Sequence, residues 1–385
     1  MLIDTDFFDQ PLDQSKVKST IVTNFFTSWS KVMLGAAQHS GRSQRLAYYE
    51  LFCGPGRYRD GAKSTPLMIM EQIIATSGLR ENMEATFIDI DKTYIAALKA
   101  ELEALPGYGT VRRPARLLCD EVNPQTEAIF TRSEPVPTLS FIDPFGYRGL
   151  SINLIHSISK TWGSDCIFFF NYRRVNAALN NDNFINHMGA LFEADRAEIM
   201  RREVRAMSPS RRLNYILSKL DEVLKKHGLR YNMIFKFSGD KSKRTTHALV
   251  FVTKDIKGYK IMKDVMASAS STHSQDGVPS YEFCPEVRKA QPELDLVSEV
   301  SKLAEQLACK YSGRRMIVQD VVDGEQPTRF VDKNIKDALC MLEKSGCLTA
   351  VPPAASRWRA GRLTCGPKVL LTFAQPPIGE IKRAA

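Results

Sequence analysis

Apolar positions recur at helical spacing over residues 13–37, where Val17, Ile21, Val22, Phe25, Phe26, Trp29, Val32 and Met33 share one face. After the polar stretch His39–Arg45 the pattern changes to short, nearly continuous apolar runs. These are Tyr48–Cys53, Ala85–Ile90, Ala115–Cys119, Leu139–Ile142 and Cys166–Phe170. Runs of this kind suit strands covered on both faces. The stretches between them, Pro66–Ser77, Lys92–Leu105, Pro124–Arg132 and Ile152–Trp162, carry helical patterns. Strand and helix alternating in this way predict an open α/β domain with a parallel sheet.

A long polar helical stretch follows from about Asn183 to Lys226. Two further runs, Tyr231–Ser238 and His247–Thr253, are joined by a connection too short for a parallel crossover, so they are expected to pair antiparallel. Parallel strands closed by a terminal antiparallel hairpin are the strand inventory of the Rossmann-like class I methyltransferase fold. A plain dinucleotide-binding domain lacks the hairpin. A helix at Gly258–Ala269 gives way to a segment rich in Ser, Pro and Gly, which reads as a linker. Beyond it come a helix at Glu293–Tyr311, a strand at Met316–Val322, a helix at Val331–Ser345 and strands at Cys347–Val351 and Val369–Phe373. That is the order of a winged helix. The expected organisation is a helical extension over 1–45, the α/β domain over 46–270, a linker over 271–292 and a winged-helix-like domain over 293–385.

Composition narrows the function classes. No apolar run approaches the ~18 residues of a membrane span, and the acidic N-terminus has no signal-peptide layout, so no membrane partner and a cytoplasmic location are expected. None of the eight cysteines forms a CxxC pair, which disfavours a metal site. The net charge of +10 is concentrated: Lys225–Lys263 holds eleven Lys/Arg and two Asp. A local excess of that size points to a phosphate-bearing partner, DNA or RNA. Lys241, Lys243 and Arg244 lie in its hairpin loop. Arg357 and Arg359 lie in the second hairpin with Trp358, Arg362 and Lys368.

The chemistry-bearing residues fall at strand ends. Glu50-Leu51-Phe52-Cys53-Gly54-Pro55-Gly56-Arg57-Tyr58 follows the first strand, and its glycines permit a sharp turn close to a nucleotide. An NAD fingerprint would place a third glycine at position 59, where this chain has Arg59; that favours S-adenosylmethionine (SAM). Glu50, Phe52, Cys53, Gly54, Gly56 and Tyr58 are the candidate cofactor residues of the turn. Asp89 and Ile90 end the second strand, where an acid accepts from ribose hydroxyls. Asp91 reads as a helix N-cap. Asp120 ends the third strand, facing the adenine position. Asp143-Pro144-Phe145-Gly146 ends the fourth and resembles in part the Asp-Pro-Pro-Tyr element of amino-methylating enzymes, with Asp143, Pro144 and Phe145 as candidate catalytic residues. No cysteine near Asp143 could serve as a C5-methylating nucleophile.

Taken together, LFCGPGRY, FIDIDK, FIDPFGY, THALVFVTK with GYKIMKDVM, and IKDALCMLEKSG resemble the three-Cys-motif partner protein family, TcmP, over about Lys18–Val351. Members are bacterial or phage proteins. The resemblance implies a methyltransferase-like domain and a three-Cys-motif, radical-SAM-like partner. It leaves three readings open: a SAM-dependent methyltransferase acting on an exocyclic amine of nucleic acid, a non-catalytic nucleic-acid-binding partner subunit, and a magnesium-dependent nuclease.

Overall fold

The computed structural model describes residues 12–41, 43–123, 126, 129–130, 136–181, 184–239, 245–285 and 298–375. The chain divides into two compact units, Met1–Ala269 with Tyr281–Pro285, and Ser270–Ser280 with Glu286–Ala385.

In the first unit the elements run α1 Leu12–Ser40, β1 Leu46–Leu51, α2 Thr65–Ala75, α3 Ser77–Asn82, β2 Met83–Asp89, α4 Lys92–Glu103, β3 Arg116–Cys119, β4 Thr138–Ile142, α5 Ile152–Ser159 and β5 Asp165–Phe170. They continue as α6 Tyr172–Ala178, α7 Ile185–Phe192, α8 Ala194–Val204, α9 Pro209–Lys226, β6 Tyr231–Ser238, β7 Thr245–Thr253, α10 Ile256–Ala269 and β8 Glu282–Phe283. The sheet order is β3-β2-β1-β4-β5-β7-β6-β8. Strands β1 to β5 are parallel, β7 runs antiparallel to both β5 and β6, and β8 is parallel to β6. This mostly parallel, helix-covered sheet is Rossmann-like, with the strand order of methyltransferases.

Burial explains the continuous apolar runs. Every residue of β4 and β5 is buried, because side chains alternate between two cores. One face holds Tyr48, Phe87, Phe141 and Phe251 against α1, α2 and α10; the other holds Leu51, Ile142, Phe168 and Phe170 against α5 to α9. The N-terminal helix is part of this packing. Its Ile21, Val22, Phe25 and Phe26 are fully buried, and Phe26 meets Tyr48 edge-on at 5.5 Å between centroids.

Two expectations need correction in this unit, and a third is largely untested. The stretch Asn183–Lys226 is three helices, broken where Glu193 takes a left-handed φ of 69° and where Pro209 opens α9. Glu193 is held at that corner by Lys226 and His227. β8 arises inside the expected linker; two residues are too few for a pattern to reveal. The helix expected at Pro124–Arg132 falls mostly outside the described residues.

The second unit comprises α11 Glu299–Lys310, β9 Arg315–Ile317, α12 Val318–Gly324, α13 Asp332–Lys344, β10 Leu348–Val351, β11 Trp358–Arg359, β12 Arg362–Leu363 and β13 Leu370–Phe373. Its main sheet has the order β10-β13-β9. The strand expected over Met316–Val322 ends at Ile317. Val318, Val321 and Val322 are fully buried at helical spacing, so that stretch turns into α12 around the core formed with Leu307, Ile335, Leu339 and Leu371.

Asp165, at the start of β5, is 5% exposed, and its carboxyl is pushed up to about 7 by burial, with the Thr253 hydrogen bond opposing and the charge of Asp255 reinforcing. The folded chain therefore binds this proton more tightly than the unfolded chain, whose aspartate titrates near 3.9. The associated stability is fully present below about pH 4 and is lost as pH rises through 7. Urea unfolding of Asp165→Asn is expected to remove this slope, leaving the variant more stable than wild type at pH 8 by as much as about 4 kcal/mol. Parallel pH profiles for the two proteins would contradict the assignment.

Candidate active site at the carboxyl edge of the sheet

The carboxyl ends of β1, β2 and β4 are drawn together by backbone hydrogen bonds. Cys53 N–H donates to the Ile88 carbonyl (3.1 Å), Asp143 N–H to Leu51 (3.1 Å) and Asp120 N–H to Asp89 (3.1 Å). The turn after β1 has left-handed conformation at Phe52, Gly54 and Gly56, with φ of 64°, 66° and 90°. A Cβ at Gly54 would meet no atom within 4 Å, so that glycine faces open space. A Cβ at Gly56 would lie 3.0 Å from Leu98 Cδ1, so that glycine serves the packing of α4.

Asp89 is 4% exposed and fixed at both oxygens: Gly54 N–H donates to Oδ2 (2.9 Å) and Asp91 N–H to Oδ1 (3.0 Å). The second strand end and the glycine turn are thus one rigid assembly. Each oxygen keeps a lone pair for a further donor. Asp91 caps α4 through Thr93 and Tyr94 N–H, in line with its reading as an N-cap. Ile90, one residue past Asp89, is 64% exposed. Asp120 is exposed, and its Oδ1 accepts from Glu121 N–H (2.8 Å). Cys53 is buried, and burial pushes its thiol well above the usual range, so it is no nucleophile.

Beneath the turn lies a buried polar cluster. Glu50 is 2% exposed and accepts from Tyr48 OH (2.8 Å). Burial raises its carboxyl well above the ordinary value, the Tyr48 hydrogen bond opposes, and Asp143 adds to the rise. Tyr58 OH meets Ser19 Oγ at 3.0 Å, and Ser19 Oγ meets Thr65 Oγ1 at 3.1 Å. Asp143 accepts from Lys18 Nζ through Oδ2 (2.5 Å). Its other oxygen, Oδ1, is buried with no hydrogen-bond partner among the described residues. Pro144 is buried and Phe145 is 39% exposed. Gly146 has a φ of 106°, and a Cβ there would lie 2.9 Å from Arg174 Cδ.

Sequence reasoning missed Lys18. The available signal was a charge on the apolar face of α1: Lys18 is in helical register with Ile21, Val22 and Phe25, and its side chain is only 7% exposed. His247 on β7 is buried between the Phe169 and Phe237 rings, at 4.8 Å from each. Burial first, and then the charge of Lys18, push it down to about 3, so it is neutral. Asn171, next to β5, caps α6 through Arg174 N–H.

The phosphate-binding residues fare differently. Lys241, Lys243 and Arg244 lie outside the described residues. Arg357 is corrected: it is 5% exposed, ion-paired with Glu343, and donates to the carbonyls of Pro352 and Thr364. Its guanidinium ties the hairpin together and is not offered to a ligand. Arg359 is exposed. Among the described residues the basic run Lys225–Lys263 is divided, because α9 and α10 pack on opposite faces of the sheet. Lys225, Lys226 and Lys236 pair with Asp221, Glu193 and Glu282, and Lys263 is fully buried.

No protein-family model matches the chain, and no curated protein matches it. Among solved structures, a protein from Legionella pneumophila str. Philadelphia 1, described by the family model DUF519, is 12% identical over 65% of this chain and 91% of its own, with a TM-score of 0.38. A SAM-dependent methyltransferase from Agrobacterium tumefaciens is 11% identical over 60% of this chain and 62% of its own, with a TM-score of 0.32. The glycopeptide N-methyltransferase MtfA, complexed with sinefungin, is 14% identical over 59% of this chain and 86% of its own, with a TM-score of 0.30. These likenesses concern the fold alone.

The two glycines of the turn are expected to respond differently to substitution. Gly56→Ala combines a strained φ with a Leu98 clash and should cost about 2–3 kcal/mol, whereas Gly54→Ala carries only the left-handed penalty of about 1 kcal/mol. Denaturant titration of both variants checks the order; equal losses would contradict the packing role of Gly56.

Proposed function

We propose that this chain is a SAM-dependent methyltransferase that acts on an amine. The observation that carries this reading is the buried Oδ1 of Asp143, unpartnered among the described residues and held at the end of β4, where the Asp143 N–H bonds Leu51 just before the glycine turn. An acceptor left open in this way costs about 1–3 kcal/mol until a donor arrives. An amine N–H is such a donor. The residues fit the cofactor as well: Gly54 leaves room above the turn, Asp89 retains acceptor capacity, and Glu50 lies below it. Bound there, SAM would supply an activated methyl group. Asp89 would accept from its ribose, Asp120 and Ile90 would border its adenine, and Phe52, Cys53, Gly56 and Tyr58 would shape the turn. Asp143 would orient the target nitrogen, with Pro144 and Phe145 forming the wall beside it.

Nucleic acid is the substrate class we favour. The C-terminal unit runs helix, strand, two helices and two strands on a three-stranded sheet, an arrangement that supports a winged-helix-like reading. Its small hairpin displays Arg359 and Trp358, the latter 47% exposed with Lys344 Nζ 5.9 Å from its ring centroid. An exposed cation and an aromatic face together suit phosphate and base. Lys241, Lys243 and Arg244 would add charge. The TcmP resemblance adds a three-Cys-motif partner to this proposal. A second reading, a non-catalytic nucleic-acid-binding partner subunit, is favoured by the missing second proline after Asp143. Among the described residues, no group of three His, Cys, Asp or Glu side chains is placed to hold a metal ion.

Calorimetry with SAM tests the reading. Wild type should bind, and Asp89→Ala should bind at least about 10-fold more weakly, the loss typical of a hydrogen bond to a charged group. No binding by wild type would end the proposal. A methionine ammonium placed on Glu50 favours the carboxylate that burial disfavours, so binding should release a proton and tighten as pH rises. Titrations in two buffers of different ionisation enthalpy measure that release. Labelled-methyl transfer into mixed DNA and RNA then separates an enzyme from a binding module.

A further inference from the structure

We propose that Lys18 is the positioning and specificity residue of this site: it holds Asp143 by one oxygen, leaves the other for a single N–H, and selects neutral amines over alkylammonium groups. The inference rests on the methyltransferase reading above.

A lysine on the buried face of a helix needs a reason. Removing an ammonium from water costs several kcal/mol unless it is paired. Lys18 is paired with Asp143 at 2.5 Å, and its Nζ lies 5.1 Å from the Phe169 ring centroid. Burial works against its charge, but the attraction and hydrogen bond of Asp143 lead the effects that outweigh it and raise Lys18 above the ordinary lysine value. Other groups face the pair from several elements: Tyr48 and Glu50 on β1, Tyr58 in the turn, and His247 on β7. Burial favours the neutral form of each of these four. The ion pair of the cluster is Lys18 with Asp143.

That charge balance has a chemical meaning. With its backbone N–H bonded to Leu51 and Oδ2 bonded to Lys18, Asp143 cannot rotate to meet a ligand, and Oδ1 accepts from one fixed direction. A protonated alkylamine would bring a second positive charge next to Lys18, whose partner Asp143 already balances one. Glu50 is no substitute, because in this reading it receives the methionine ammonium of SAM. A weakly basic amine, such as the exocyclic amino group of a nucleobase, arrives uncharged and already carries the lone pair that attacks the methyl carbon. As the N–C bond forms, the S–C bond breaks, the thioether leaves, and the extra proton on nitrogen is passed to solvent. Lys18 remains protonated and touches neither reactant.

The test measures methyl transfer from labelled SAM to mixed-sequence RNA and DNA and to a lysine-rich peptide pool, using the full chain. Wild type should label nucleic acid and leave the peptide unlabelled. Lys18→Met should lower kcat at least 10-fold with little change in KM for SAM, and Lys18→Arg should recover much of that loss. In the Asp143→Asn background, Lys18→Met should add nothing, because the two residues act as one device. The double variant removes both buried charges, so it folds even if Lys18→Met alone does not. Unchanged kcat in Lys18→Met, losses that multiply in the double variant, or labelling of the peptide by wild type would overturn the inference while leaving the methyltransferase reading intact. No transfer by wild type to any pool would sink that reading, and the inference with it.

Discussion

A sheet covered on both faces can offer chemistry only along its edges. In this chain the cover is nearly complete over the central strands, where β4 and β5 expose no residue at all. Polar groups are therefore displaced to the strand ends, and parallel pairing brings the carboxyl ends of β1, β2 and β4 side by side. The backbone N–H groups that run past those ends then find acceptors in the neighbouring strand or in Asp89. Site geometry and sheet burial are consequences of the same packing.

The site is rigid for a second reason. Its two central acids are held by different means. Asp89 accepts from two backbone N–H groups. Among the described residues Glu50 has a tyrosine hydroxyl and no cation within bonding distance, and burial raises its carboxyl. One chain of contacts thus carries an acid fixed by the backbone at the rim and an acid governed by burial below it. α1 contributes Lys18, the counterion of Asp143, so an element outside the alternating β/α pattern reaches this edge of the sheet.

How much of this was legible depended on how many residues carried each signal. The sheet strands were legible because each run is apolar on both faces, and the hairpin because its connection is short. Gly54, Gly56, Asp89 and Asp143 were legible because strand ends have a fixed place in such a sheet. Lys18 was not, because its partner lies 125 residues away and helical spacing marks only the face. Arg357 was misread because charge in a hairpin says nothing about whether Glu343 lies beneath it. The basic run misled for a topological reason: residues close in sequence across α9, β6, β7 and α10 are divided between the two faces of the sheet. Met316–Val322 was misread because three valines at spacings of three and one fit a strand and a helical turn equally well.

The strand order carries a consequence for how the chain is made. β6 precedes β7 in sequence, yet it joins the sheet only through β7 and the short β8. During synthesis, β6 emerges before the strand that attaches it. Its apolar Met233, Phe235 and Phe237 must wait for β7, with β5 already some sixty residues behind. The interval is filled by α6 to α9, whose apolar faces cover one side of the sheet. A nascent chain halted there holds an open strand edge at β5, the surface on which strands of other chains add most readily.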